Sequence, residues 1–234
     1  TRIVNPTVFK GKVNNAGGIE AASPVEFQGP VTNQGGISNA NFQQDVVNKG
    51  SIATATVNPN VTLRGGTLSG KIDNQGTLMD VRLYNGNVEG GELNGIIEGN
   101  EVSIVKDVVL TSSAYGDTTL IGVQLEGTIQ GGEGSNVWLK NVQVLPGTHL
   151  INVIIGEKVT LAENVTLENI RLAANVHLTS GTLQGFISGE DEKASAWLEN
   201  VQIVADTHLK NVTLGKNVTM ESGITLEGLV INAG

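Results

Sequence analysis

The sequence predicts an all-β fold: a single-stranded parallel β-helix, or β-solenoid, with three short strands per coil of about 17 residues. Three observations predict it. Apolar residues recur in apolar-x-apolar pairs at a step of five or six, a 59-residue segment is duplicated without a gap, and Asn or Gly stands at the bend before nearly every pair.

The duplication sets the frame. Trp138 to Leu172 reads WLKNVQVLPGTHLINVIIGEKVTLAENVTLENIRL, and Trp197 to Ile231 reads WLENVQIVADTHLKNVTLGKNVTMESGITLEGLVI. A constant offset of 59 (197 − 138) matches Asn141 to Asn200, His149 to His208, Gly156 to Gly215 and Val159 to Val218.

Inside it the pairs start at Val142, Thr148, Val153, Val159, Val165, Ile170 and Val176, and again at Val201, Thr207, Val212, Val218, Ile224 and Leu229. In extended backbone, alternation sends both flanks of such a triplet inward and its middle residue outward. Helical periodicity fails, because spacings of two then three or four keep no single stripe. Right-handed winding is expected, following the handedness of parallel crossovers.

Corners come next. Asn precedes the first inward residue at Asn141, Asn152, Asn164, Asn169, Asn175, Asn200, Asn211 and Asn217, and Gly does so at Gly223 and Gly228. These residues tolerate the left-handed backbone that a sharp bend demands. Stacked Asn side chains are also expected to bond along the rod.

The N-terminal half carries a looser form, apolar-x-Gly-x-apolar-x-Asn-x-Gly-x-apolar. It begins at Phe9, Phe27, Phe42 and Leu68, steps of 18, 15 and 26 that predict insertions. The expected organisation is one solenoid over 1–234, with irregular coils in 1–136 and regular ones in 137–234. Long loops are expected near Gly131 to Asn136 and Ser188 to Ser195.

Composition agrees with a thin core. There are 31 Gly, 5 Pro and only 3% aromatic residues among 234, so branched aliphatics must fill the lumen. A net charge of −9 without a Lys/Arg cluster argues against nucleic acid and anionic membrane surfaces as partners. No Cys is present, which excludes disulfides and thiolate metal sites. No apolar run reaches membrane-spanning length, and no membrane insertion is expected. The chain opens on Thr1 rather than Met, as expected of a mature or excised fragment.

The elements Asn-x-Gly-Gly-Ile and Asn-x-Gly-Thr-Leu (from Asn15, Asn33 and Asn74) resemble the repeats of filamentous haemagglutinin-type adhesins, bacterial β-helical surface proteins. The segment VTLGKNVTMESGITLEG from Val212 is similar to hexapeptide-repeat solenoids and to bactofilin, a polymerising scaffold, although every third step here is five rather than six. The first resemblance implies an exported, secreted or cell-surface stalk; the second, a cytoplasmic scaffold.

Chemistry-bearing residues are few. His149, His177 and His208 each occupy the middle of a triplet and point outward; the first and last are copies of one position, unlike a catalytic base. Glu190, Asp191 and Glu192 form an acidic loop without the alternating spacing of a calcium site. Asp45, Asp73, Asp80, Asp107 and Asp117 are scattered. GGEGSN from Gly131 lacks the Asp of a calcium nonapeptide. The four Asn-Val-Thr sequons (Asn60, Asn164, Asn211, Asn217) fall out of the corner pattern. Outward threonines such as Thr160 and Thr166 do not form the unbroken ranks of an ice-binding face.

No catalytic residue, cofactor or metal site is therefore predicted. Sorting outward residues by 17-residue steps places Trp138, Ile154, Phe186, Trp197 and Val230 on one apolar strip. That strip is the candidate interaction face, for self-association or another surface protein. The reading is a structural or adhesive solenoid. The alternatives are a carbohydrate-binding solenoid using the exposed Trp, and more remotely a polysaccharide-cleaving enzyme or hexapeptide-type acyltransferase. Unpaired strand edges at the two ends make end-to-end stacking a further expectation.

Overall fold

The computed structural model describes residues 1–112, 116–132 and 134–234. The described residues form 33 short strands and no helix, stacked in parallel as about 13 turns of roughly 17 residues. At about 4.8 Å per coil the stack is about 60 Å long.

Register follows from which residues must be buried. Val13, Val31, Val46, Leu63, Leu78, Leu93 and Leu110 pair one above the next and fill one side of the lumen. Every predicted inward flank from Val142 to Leu178 is buried except Val159 and Leu161, which are half-buried. Each fully buried aliphatic contributes about 1.5–3 kcal/mol, so the register is held by its whole length.

The first coils differ in filling. Phe9, Phe27 and Phe42 stack at 5.2 Å between successive ring centroids, nearly parallel, which offsets the lack of aromatics elsewhere.

All eight predicted Asn corners have φ between 49° and 62°, and Gly223 and Gly228 have φ of 81° and 67°. Their side chains do further work. Asn169 Oδ1 accepts the N–H of Phe186 at 2.9 Å, and Asn211 Oδ1 accepts that of Leu229 at 3.0 Å, each in the next coil. Side chains also bond along the rod: Asn217 Nδ2 donates to Asn200 Oδ1 at 2.9 Å. In the N-terminal half Asn15 donates to Asn33 and Asn33 to Asn48, both at 2.8 Å.

The four N-terminal motifs are not one column. Phe9, Phe27 and Phe42 pair in sequence, but Phe42 is followed by Val57, and Leu68 pairs with Ile52 instead. The 26-residue step from Phe42 to Leu68 spans one coil plus two sides and needs no insertion. A pattern of two inward residues around a bend describes any corner, so it does not specify which one.

Candidate interaction surface

Outward residues also pair coil to coil. Ile96, Thr119, Trp138, Ile154, Arg171 and Ser188 form one column. His177, Trp197, Thr213 and Ile231 form another. Ser188 pairs with Lys210, and the chain then bends at Asn211 before reaching Thr213. The two tryptophans therefore lie on adjoining sides of the triangle, not on one strip.

The remaining members of the expected strip also separate. Ile154 is only 2% exposed. Val230 pairs with Val212 and packs half-buried against the core, leaving Ile231 outward. Phe186 does lie on the side of Trp138, two residues before Ser188, and is 40% exposed. It pairs with His208, ring edge against ring at 4.9 Å.

The physical reason is the loop before Trp197. From Trp138 the chain runs through sides centred on Gln143, His149, Ile154, Thr160, Thr166, Arg171, His177, Thr182, Ser188 and Trp197, ten steps on a three-sided coil. Three coils use nine, so the duplicate sits one side further round.

Both long loops fold back over the next coil. Thr213 Oγ1 donates to the carbonyl of Ala194 at 2.7 Å, burying Thr213 beneath the 190–195 loop. The earlier loop is tethered differently: Arg171 Nη2 donates to Asn136 Oδ1 at 2.5 Å across Ile154. Glu133, within the Gly131 to Asn136 run, lies outside the described residues.

Between this loop and Phe186 runs a cleft of about 400 Å³, bordered by Ser135, Asn136, Asn152, Asn169, Arg171 and Phe186. Trp138 has the Lys140 ammonium 5.1 Å from its ring centre. Trp197 remains 37% exposed, with the His177 ring 6.0 Å away.

The three histidines repeat one contact. His149 Nε2 lies 3.0 Å from Glu168, His177 Nε2 3.2 Å from Glu199, and His208 Nε2 3.0 Å from Glu227. Each Glu is two residues past the outward residue of the next coil. For His208 this is a close contact without hydrogen-bond alignment, since Nε2 finds no hydrogen-bond partner.

Three of the five scattered carboxylates bond to the backbone of the next coil. Asp45, Asp80 and Asp107 accept the backbone N–H groups of Thr62, Ile96 and Thr128 at 2.8, 3.2 and 2.8 Å. Asp80 and Asp107 occupy corners with φ of 53° and 51°, where Asp replaces Asn. In the acidic loop, Ser195 donates its hydroxyl and its N–H to Asp191, holding that carboxyl below its ordinary value. Glu227 is likewise lowered by the Lys210 ammonium, and Lys106 is raised by its bond to Glu126.

Among the described residues, no three His, Asp or Glu side chains converge as metal ligands. Comparison of the chain with protein-family models, with curated proteins and with solved structures returned no match.

Proposed function

We propose that this chain is a stiff structural or adhesive rod, a spacer of a surface stalk, rather than an enzyme. The observation that carries the reading is the ladder itself: coil after coil pairs in parallel, and corner Asn and Asp side chains are spent on the backbone of the neighbouring coil. A tube of this kind transmits force along its axis through many short parallel bonds, and its outward positions tolerate change. The histidines and acidic groups are tied to neighbours in repeated structural contacts, which favours a scaffold over a convergent acid–base pair. A stalk is favoured over lateral assembly because the exposed aromatics are divided between two sides.

Small-angle scattering tests the shape. A rod gives a largest intramolecular distance of about 60–65 Å, against about 45 Å for a compact sphere of this chain length. Surface labelling of the producing cell with an antibody to the chain tests the placement. A spherical profile, or a chain found wholly inside the cell, overturns the reading.

A further inference from the structure

We infer that the Asn85–Gly86 dipeptide is a latent deamidation site, held shut by Asn100 and Ser103 of the next coil and opened only when those coils part. The inference goes beyond the rod reading and does not depend on it.

Asn followed by Gly is the dipeptide most prone to lose its side-chain ammonia, because no Cβ shields the Gly nitrogen from the Asn side chain. The chain has two, Asn85–Gly86 and Asn94–Gly95. The Gly nitrogen attacks the Asn Cγ, an N–C bond forms, and the Cγ–Nδ2 bond breaks. The departing nitrogen takes the proton that the Gly nitrogen loses and leaves as ammonia. Water then opens the cyclic imide at one carbonyl or the other, giving aspartate or isoaspartate with no change of oxidation state.

Asn85 is exposed at a corner with φ of 51°. Its N–H donates to Asn100 Oδ1 at 3.2 Å, and Asn100 Nδ2 donates back to Asn85 Oδ1 at 2.8 Å. Asn100 therefore grips both ends of the residue and holds its amide against the next coil. The attacking nitrogen is engaged as well. Gly86 is buried, and its N–H donates to Ser103 Oγ at 3.2 Å. Ser103 is fully buried and donates in turn to Asn100 Oδ1 at 2.7 Å. Asn85, Gly86, Ser103 and Asn100 thus close a ring of hydrogen bonds across the two coils. Closure to the imide must break the Gly86 bond and the Asn85 bond together, leaving buried groups unpaired.

Asn94–Gly95 supplies an internal control. The Gly95 N–H donates to Thr118 Oγ1 at 3.1 Å, and Thr118 and Asn94 are both buried. Each glycine nitrogen is therefore met by a buried hydroxyl one coil on. Only Asn85 is exposed, so only there does loss of the hydroxyl leave the amide room to swing back.

The two products differ in consequence. Aspartate fits such a corner, as Asp80 and Asp107 do with φ of 53° and 51°. Isoaspartate carries the main chain through the former side chain and lengthens the bend, which breaks the register of the stacked strands.

The test is peptide mass mapping with an isoaspartate-specific methyltransferase assay, on the full chain in mildly alkaline buffer, folded and in guanidinium. The expected result is conversion of Asn85 and Asn94 in the denatured chain and far slower conversion of both in the folded one. Ser103→Ala should raise conversion at Asn85 about tenfold over the folded wild type and leave Asn94 unmoved. Ser103→Thr keeps the hydroxyl and should restore protection. If Ser103→Ala converts both sites at the denatured rate it has unfolded, and Asn100→Ala, which keeps the buried hydroxyl, decides by the same comparison. Equal conversion of Asn85 in folded and denatured wild type overturns the inference. So does a folded Ser103→Ala or Asn100→Ala chain in which Asn85 converts no faster than in wild type.

Discussion

Gly189 shows how little room a single residue has where coils meet. A Cβ there would lie 2.2 Å from the carbonyl oxygen of Asn211, a backbone atom that cannot swing aside. Gly189→Ala should cost about 1–3 kcal/mol, as other overpacked sites do. Gly17→Ala, where nothing lies within 4 Å, should change stability by less than about 0.5 kcal/mol. Denaturant midpoints of the two variants decide the point; equal effects would mean the close approach is relaxed in solution. Asn200 tests the corner itself. It holds φ at 50° and accepts a bond from Asn217. Asn200→Gly keeps the backbone and should cost under about 1 kcal/mol, the worth of one exposed hydrogen bond. Asn200→Val forces a β-branched residue into the left-handed region and should cost about 1–3 kcal/mol. These corners were legible beforehand because so few residues tolerate that conformation. The Asp80 and Asp107 corners were not, since the same carboxylates read equally well as dispersed surface charge.

At the scale of elements, the strand–corner–strand unit was readable and its position around the tube was not. Inward flanks betray themselves by a strict two-residue rhythm. A loop carries no such rhythm: the 190–195 segment hides whether the chain re-enters on the same side or the next. Trp138 and Trp197 look equivalent in sequence and yet stand on different sides for that reason. The cleft was missed for a related reason: Arg171 and Asn136 are 35 residues apart, joined only when a loop folds back across a coil. The other loop offers a measurable hinge. Asp191 is held below its ordinary value first by the Ser195 hydroxyl, then by the Ser195 N–H. Because the folded value is depressed, the tether contributes above the unfolded carboxylate value of about 3.9 and is lost as pH falls through the folded one. Ser195→Ala should move the Asp191 carboxyl titration upward, followed by NMR, and should raise amide exchange in 190–195 as acid is added. An unmoved titration would mean that Ser195 does not hold this carboxylate in solution.

For the whole molecule, stability is close to a sum of coils and of contacts between neighbours, since strands pair only with the coil above and the coil below. A contact that skips a coil, such as Arg171 to Asn136, comes from a loop. Coils in the middle are covered on both sides, and their core side chains, from Leu63 to Leu172, are almost all fully buried. Coils at either extremity of this chain are covered on one side. Leu226, inward by register, is 56% exposed, and Phe9 is only half-buried beneath fully buried Phe27 and Phe42. Local opening costs least where fewest apolar contacts must break. Hydrogen exchange of this 234-residue chain should therefore rise toward both ends, slowest from Leu63 to Leu172 and fastest in 219–232. Fusing one more coil, copied from 201–217 so that its first strand continues the side after Ile231, after Gly234 should slow exchange in 219–232 while leaving the centre unchanged. A compact cooperative globule would instead exchange its core as one unit, and the added coil would have no local effect. Uniform protection across all coils would therefore contradict nearest-neighbour stacking, and with it the account of the rod as a column of separable layers.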